Sequence, residues 1–209
     1  MFTDPDETSF IELVLTNSRV AEVLQRAAAL ALPDWYLAAG CLFQTVWNVL
    51  DGQPPERGIR DYDLFYFDPS DLSWEAEDVV IRRAAAVFAG TGVTVEVRNE
   101  ARVHLWYEKK FGRPCAPFTS SADAIDHFAA TACCVGLRPE GESYRVHAPY
   151  GFADLLGFVL RPNPVLAPRD VYEAKAARWL ELWPRLTVLP WPSDTAETPR
   201  GLAGASTSC

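Results

Sequence analysis

Between Ser18 and Asn99 the spacing of apolar residues switches repeatedly between the helical and the extended period, which limits the chain to folds in which helices pack on a sheet. Val20, Val23, Leu24, Ala27 and Ala31 follow Ser18 at spacings of three and four, until Pro33 ends the run. "WYLAA" then reads as a short buried strand leading into Gly40. Leu42, Val46, Val49 and Leu50 mark a second amphipathic helix that stops at Asp51-Gly52. After the loop "QPPERG", "DYDLFYF" is a strand, because leucine and aromatic residues favour a pleated, half-buried surface and the flanking Pro and Gly do not continue a helix. Ser73 is placed to cap a third helix through about Ala89, and the clean alternation of "TGVTVEVRN" gives another strand.

Beyond this point the pattern changes. "RVHLWYEKKFG" fits either a strand or a helix. Ser120 with Asp123 fits a capping box ahead of Ile125, Phe128, Ala129 and Ala132, and Asp170 with Glu173 fits another ahead of "VYEAKAARWLELW". "SYRVHAPYG" between them is a strand or an extended turn. The expectation is an α+β protein in three parts. Residues 1–115 form a small mixed sheet with packed helices, residues 116–192 a mainly helical region packed on it, and the small, polar residues 193–209 a disordered tail.

The net charge of −9 argues against a protein whose main task is gripping nucleic acid, since neutralising phosphates needs clustered Lys and Arg. Arg102, Lys109, Lys110 and Arg113 make a local basic run that an ordinary solvated face explains equally well. The acidic start "MFTDPDETSF" has neither a basic n-region nor an apolar h-region, and no run of about 18 apolar residues occurs, so a soluble, cytoplasmic protein is expected. The five cysteines form no C-x-x-C pair; Cys133 and Cys134 sit in an apolar helical pattern and read as buried thiols. Trp47, Trp106, Trp179 and Trp183 read as core.

Chemistry concentrates at "RDYDLF". Side chains alternate along a strand, so Asp61 and Asp63 point one way while Tyr62 and Leu64 point the other, with the two aspartate Cα atoms about 6.5 Å apart. The same parity places Glu96 on the polar face of its strand, opposite Val95 and Val97. Like charges this close raise each other's pKa unless a cation lies between them, and hard divalent ions such as Mg²⁺ or Mn²⁺ take oxygen ligands. Gly40, between a strand and a helix, offers backbone N–H groups and the helix dipole to a phosphate. Turn and capping chemistry accounts for many isolated D-x-D pairs; the glycine turn and the third acid distinguish this one.

Taken together, "YLAAGCLFQTVWNVLDGQPPERGIRDYDLFYF" resembles the signature of the DNA polymerase β-like nucleotidyltransferase superfamily: strand, glycine turn, helix, D-x-D strand, and a third acid on a later strand. "RDYDLFYFD", "VRNEARVHLWYEKKFG" and "YRVHAPYGFADLL" further resemble a family of small stand-alone bacterial nucleotidyltransferase-like proteins, over about Ser18 to Trp191. The resemblance implies a nucleotidyltransferase palm in residues 1–115. Asp61, Asp63 and Glu96 would be its catalytic metal ligands, and Gly40, Cys41 and Arg60 its nucleotide contacts. Asn99, Arg102 and His104 would contact base, ribose or acceptor. Cys41 stands where the superfamily has Gly or Ser, and the base-reading motifs of tRNA nucleotidyltransferases have no counterpart. The implied reaction moves a nucleoside monophosphate from an NTP to an acceptor hydroxyl; the acceptor is open, and the charge favours a small molecule or protein over an RNA end. A catalytically inactive nucleotide- or protein-binding regulator of the same fold is the alternative.

Overall fold

The computed structural model describes residues 5–192 of the chain. The helices α1 (Pro5–Leu15) and α2 (Ser18–Ala27) lead to strand β1 (Tyr36–Ala38), helix α3 (Gly40–Leu50) and strand β2 (Tyr62–Tyr66). Helix α4 (Trp74–Val87) and strand β3 (Val95–Asn99) follow, then a 3₁₀ turn, Glu100–Leu105, and two short helices, α5 (Tyr107–Phe111) and α6 (Ser121–Ile125). Strands β4 (Gly136–Glu140) and β5 (Ser143–His147), helix α7 (Ala153–Leu156), strand β6 (Val159–Leu160), helix α8 (Arg169–Leu182) and strand β7 (Thr187–Val188) complete the fold.

Five strands form one mixed sheet in the order β3-β2-β1-β4-β5, in which β2 and β3 run parallel and the other neighbours antiparallel. Strand parity sends Leu37, Tyr62, Leu64, Tyr66 and Val97 into the main core, with α2, α3 and α4 packed over that face. The opposite face carries Tyr36, Ala38 and Phe65 in a smaller apolar cluster with Ile125 and Cys134. Helix α6 approaches the sheet here so closely that a Cβ on Gly136 would lie 2.8 Å from Ile125 Cδ1. Leu64 and Leu137 are fully buried, as a strand in mid-sheet requires.

The alternating first half is present as read, and Asn17 caps α2 by accepting from the N–H groups of Arg19 and Val20. Ser73 caps α4. The second half differs. The apolar run after Ile125 does not continue the helix, because its backbone groups are engaged elsewhere: the Asn163 amide donates to the carbonyls of Asp126 and Phe128, and Ala130 bridges Pro162. Cys133 and Cys134 are buried, as read, but in a 3₁₀ turn and its exit. The chain then enters β4 and, through the Gly141 turn at φ 62°, β5, so the sheet crosses the boundary expected at 115/116 and residues 116–192 are not mainly helical. The segment "RVHLWYEKKFG" is helical rather than extended. Helix α8 begins at Arg169, whose guanidinium meets Glu173 at 2.7 Å, so the Asp170 capping box is not used. The tail expected over 193–209 lies outside the described residues.

One buried amide ties α3, the loop before β2 and α8 together. Asn48, fully buried, donates to the carbonyls of Pro55 and Arg57 at 2.9 and 2.8 Å and accepts from Trp183 Nε1 at 3.0 Å. Truncation would leave several buried polar groups unpaired, each costing about 1–3 kcal/mol. Asn48→Ala is therefore expected to lose about 3 kcal/mol in urea denaturation followed by tryptophan fluorescence. A loss below about 1 kcal/mol would contradict this network.

Candidate active site

The site is built on the face of β2 and β3 turned away from the main core. Parallel pairing sets Asp63 beside Glu96 and Phe65 beside Arg98, and antiparallel pairing sets Ala38 on the other side of Asp63. Asp61 enters just before β2. The β1–α3 turn closes in from the same side: a Cβ on Gly40 would lie 4.0 Å from Asp61 Oδ1 and 2.9 Å from Gln44 Nε2, so only glycine leaves this approach open without moving Gln44. Ala39, just before it, adopts φ 55°, ψ −123°, a conformation costly for any residue with a side chain.

Gly40, Asp61, Asp63 and Glu96 line one cavity of about 490 Å³, together with Ala39, Gln44, Arg98, Glu100, Lys175 and Arg178. A second cavity of about 320 Å³ opens beside it, sharing Gln44, Asp61 and Arg178 and adding Arg60. Burial, then repulsion from Asp61 and Glu96, pushes the Asp63 carboxyl from 3.8 up to about 7, with Lys175 and Arg98 opposing. Burial, then the Asp63 charge, pushes Glu100 from 4.5 up to about 8.

The donor set suits a hard cation, with a qualification the structure imposes. Glu96 Oε2 lies 3.2 Å from Arg98 Nη2, and among the described residues no group of three or more His, Cys, Asp or Glu side chains is arranged to hold a metal ion. Mg²⁺ commonly uses one or two carboxylates, several waters and the substrate's own phosphates rather than an all-protein cage. Asp61 and Asp63 fit that pattern: neighbouring carboxylates lining one cavity, with the Asp63 pKa raised by burial and then by the Asp61 charge.

Other residues expected at the site lie elsewhere. The Cys41 thiol is fully buried in the core and donates to the Ala38 carbonyl at 3.6 Å; burial, then Asp63, pushes its pKa up. Cys41 can meet a phosphate only through its backbone N–H. Arg60 faces the second cavity. Asn99 has the parity of Val97 and turns from the cavity: its side chain accepts from Asp68 N–H at 3.0 Å and donates to the Asp68 carbonyl at 2.8 Å. Arg102 pairs with Glu77, donates to the Leu72 carbonyl and lies over the Trp74 ring. Neither Arg102 nor His104, whose buried Nδ1 has no partner among the described residues, lines the cavity. Trp106, read as core, is 38% exposed and lines it.

Sequence reasoning missed Ala39, Gln44, Glu100, His127, Lys175 and Arg178. Two signals were available: Glu100 shares the parity of Glu96 and Arg98, and Lys175 and Arg178 are spaced i, i+3 on one face of α8. Nothing in the sequence marks Ala39, because its strain arises from the turn.

A family model described as nucleotidyltransferase matches residues 25–188. The chain belongs to this nucleotidyltransferase family. A protein whose NMR structure is described as revealing a CCA-adding enzyme head domain is similar over 88% of this chain and 96% of its own, at 26% identity and a TM-score of 0.72. No curated protein matches the chain. The mixed sheet with packed helices is thus a nucleotidyltransferase head-domain fold, and Gly40, Asp61, Asp63 and Glu96 meet in one cavity of it.

Two outcomes follow for this nucleotidyltransferase. The folded chain holds the Asp63 and Glu100 protons more tightly than the unfolded chain, so their contribution to stability is full below pH 3.8 and is lost as pH rises through about 7 and about 8. Metal-free protein should therefore be less stable at pH 8 than at pH 5, and Asp63→Asn should flatten that dependence in urea titrations with chelator present; a slope equal to wild type would count against the repulsion. Ala39→Gly should stabilise the protein by about 1 kcal/mol by relieving the positive φ, read as a rise in unfolding midpoint.

Proposed function

We propose that the protein moves a nucleoside monophosphate from an NTP to an acceptor hydroxyl and releases pyrophosphate, in a reaction that depends on Mg²⁺ or Mn²⁺. The observation that carries this reading is the meeting of Asp61, Asp63 and Glu96 with the Gly40 turn in one cavity. Asp61 and Asp63 would hold the divalent ion, which when bound neutralises phosphate charge and makes the acceptor hydroxyl more acidic.

The chain's own groups orient the rest. The N–H groups of Gly40 and Cys41, at the start of α3 beside Asp61, suit the triphosphate. Arg60, Arg178 and Lys175 supply positive charge around it. The acceptor oxygen bonds to the α-phosphorus while the bond from that phosphorus to the bridging oxygen breaks, and pyrophosphate leaves with the electron pair. Glu96, 42% exposed, is placed to pass the hydroxyl proton to solvent. The work is mainly positioning and charge stabilisation.

The net charge of −9 disfavours an RNA acceptor, despite the similarity to a CCA-adding enzyme head domain, and leaves a small molecule or a protein hydroxyl. A second reading, a nucleotide- or protein-binding regulator without catalysis, draws support from the Glu96–Arg98 pair, which engages the third acid. Transfer of α-labelled NTP to acceptors, with Mg²⁺ or with chelator, separates the two. Asp61→Asn and Asp63→Asn are expected to reduce transfer at least about 10³-fold. Transfer that survives both substitutions, or that ignores chelator, would overturn the proposal; metal-independent nucleotide binding without transfer would favour the regulator.

A further inference from the structure

The cavity has two chemically different ends. Asp61, Asp63 and Phe65 follow one another along one face of β2, at steps of roughly 6.5 Å. Glu96, Arg98 and Glu100 run beside them on β3 and its continuation. The Asp61 end adjoins Gly40, the start of α3 and the second cavity with Arg60 and Arg178, all suited to phosphates. The Phe65 end is aromatic. Phe65 and Phe128 meet at 5.7 Å, Phe118 and His127 at 5.0 Å, and Trp106 and Phe111 at 6.5 Å, and all six line the cavity.

In phosphoryl transfer the attacking and leaving oxygens lie roughly in line on opposite sides of phosphorus. With pyrophosphate leaving toward Arg60 and Arg178, the attacking hydroxyl comes from the Phe65 side. We infer that the aromatic end is the acceptor site, and that the acceptor is a small molecule carrying its hydroxyl on or beside a planar ring. This rests on the transfer reaction proposed above. The hydroxyl's oxygen gains the bond to the α-phosphorus as the bond to pyrophosphate breaks.

Two polar groups line this cavity and are available to the ring's edge. Glu100 is only 5% exposed and lines the cavity, so its carboxyl is open to a ligand there. His127 Nδ1 lies 2.6 Å from the Asp123 carbonyl and must donate to it, which leaves Nε2 for a ligand, as an acceptor when the ring is neutral and a donor when it is charged. Lys110, over the Trp106 and Phe111 rings, and Arg98 keep this end from being purely acidic. The nucleoside is left the wall formed by Leu166, Ala167 and Val171.

Ligand-observed NMR on the full chain tests this without requiring turnover. The probes are tyrosol, tryptophol and the ring-saturated counterpart of tyrosol, each with and without saturating Mg²⁺ and α,β-methylene-ATP. The planar probes are expected to bind at least about fivefold more tightly than the saturated one and to remain bound beside the nucleotide. Trp106→Ala, at a partly exposed position, and Glu100→Gln, of equal shape, should each weaken the probes at least about fivefold and change nucleotide affinity less than about twofold. Displacement of the probes by nucleotide, or a tenfold loss of nucleotide affinity in either variant, would assign this end to the nucleobase and overturn the inference, as would absence of planar-probe binding. A failed transfer assay with these binding results intact would sink the catalytic reading and leave the ring site standing.

Discussion

The repulsion among carboxylates held on adjacent strands governs the site. Parallel pairing of β2 with β3 fixes Asp63 against Glu96, and the chain's entry into β2 adds Asp61. Water screens this repulsion poorly because Asp63 is largely enclosed, and burial, then the charges of Asp61 and Glu96, push its carboxyl up to about 7. The fold therefore holds a local destabilisation that hydrophobic burial on the opposite face of the same strands must offset. Such a site is suited to a cationic partner, and strongly shifted carboxyls in a cavity are a functional-site signature on physical grounds.

The surroundings are arranged to keep that constraint in place. Leu64 and Tyr62 lock β2 into the main core on the face opposite Asp63, so the strand cannot rotate to relieve the repulsion without exposing both. Asn48 fixes the loop that delivers Asp61, and through Trp183 fixes α8, which carries Lys175 and Arg178 to the cavity. Ala39 holds an unfavourable backbone angle where the β1–α3 turn meets Asp61. Strain, buried charge and open space occur together here, while the remaining sheet follows ordinary pairing and parity.

Local patterns made much of the first half legible. A two-residue period across "DYDLF" and "VTVEV" is enough to place Asp61, Asp63 and Glu96 on one face, and the stop at Asp51-Gly52 follows from turn chemistry alone. The segment after Ile125 was not legible, because an apolar run can be helix or strand and the choice was made by Asn163, some 35 positions later, bonding its carbonyls. The hairpin at Gly141 carried a readable turn residue, but Pro139 inside β4 weakened the strand pattern.

The sequence by itself determined which residues alternate and where the turns fall, since these depend on backbone geometry and neighbours a few positions apart. That suffices for a strand–glycine turn–helix–acidic strand layout and for three acids in phase. Only the tertiary structure decided what surrounds them. Asn99 and Arg102 turn away into bonds with Asp68 and Glu77, the Cys41 thiol sinks into the core, and Glu100 after β3, His127 after α6, and Lys175 and Arg178 on α8 converge on the cavity. Their positions depend on packing between segments far apart in the chain, and local periodicity carries no record of such contacts.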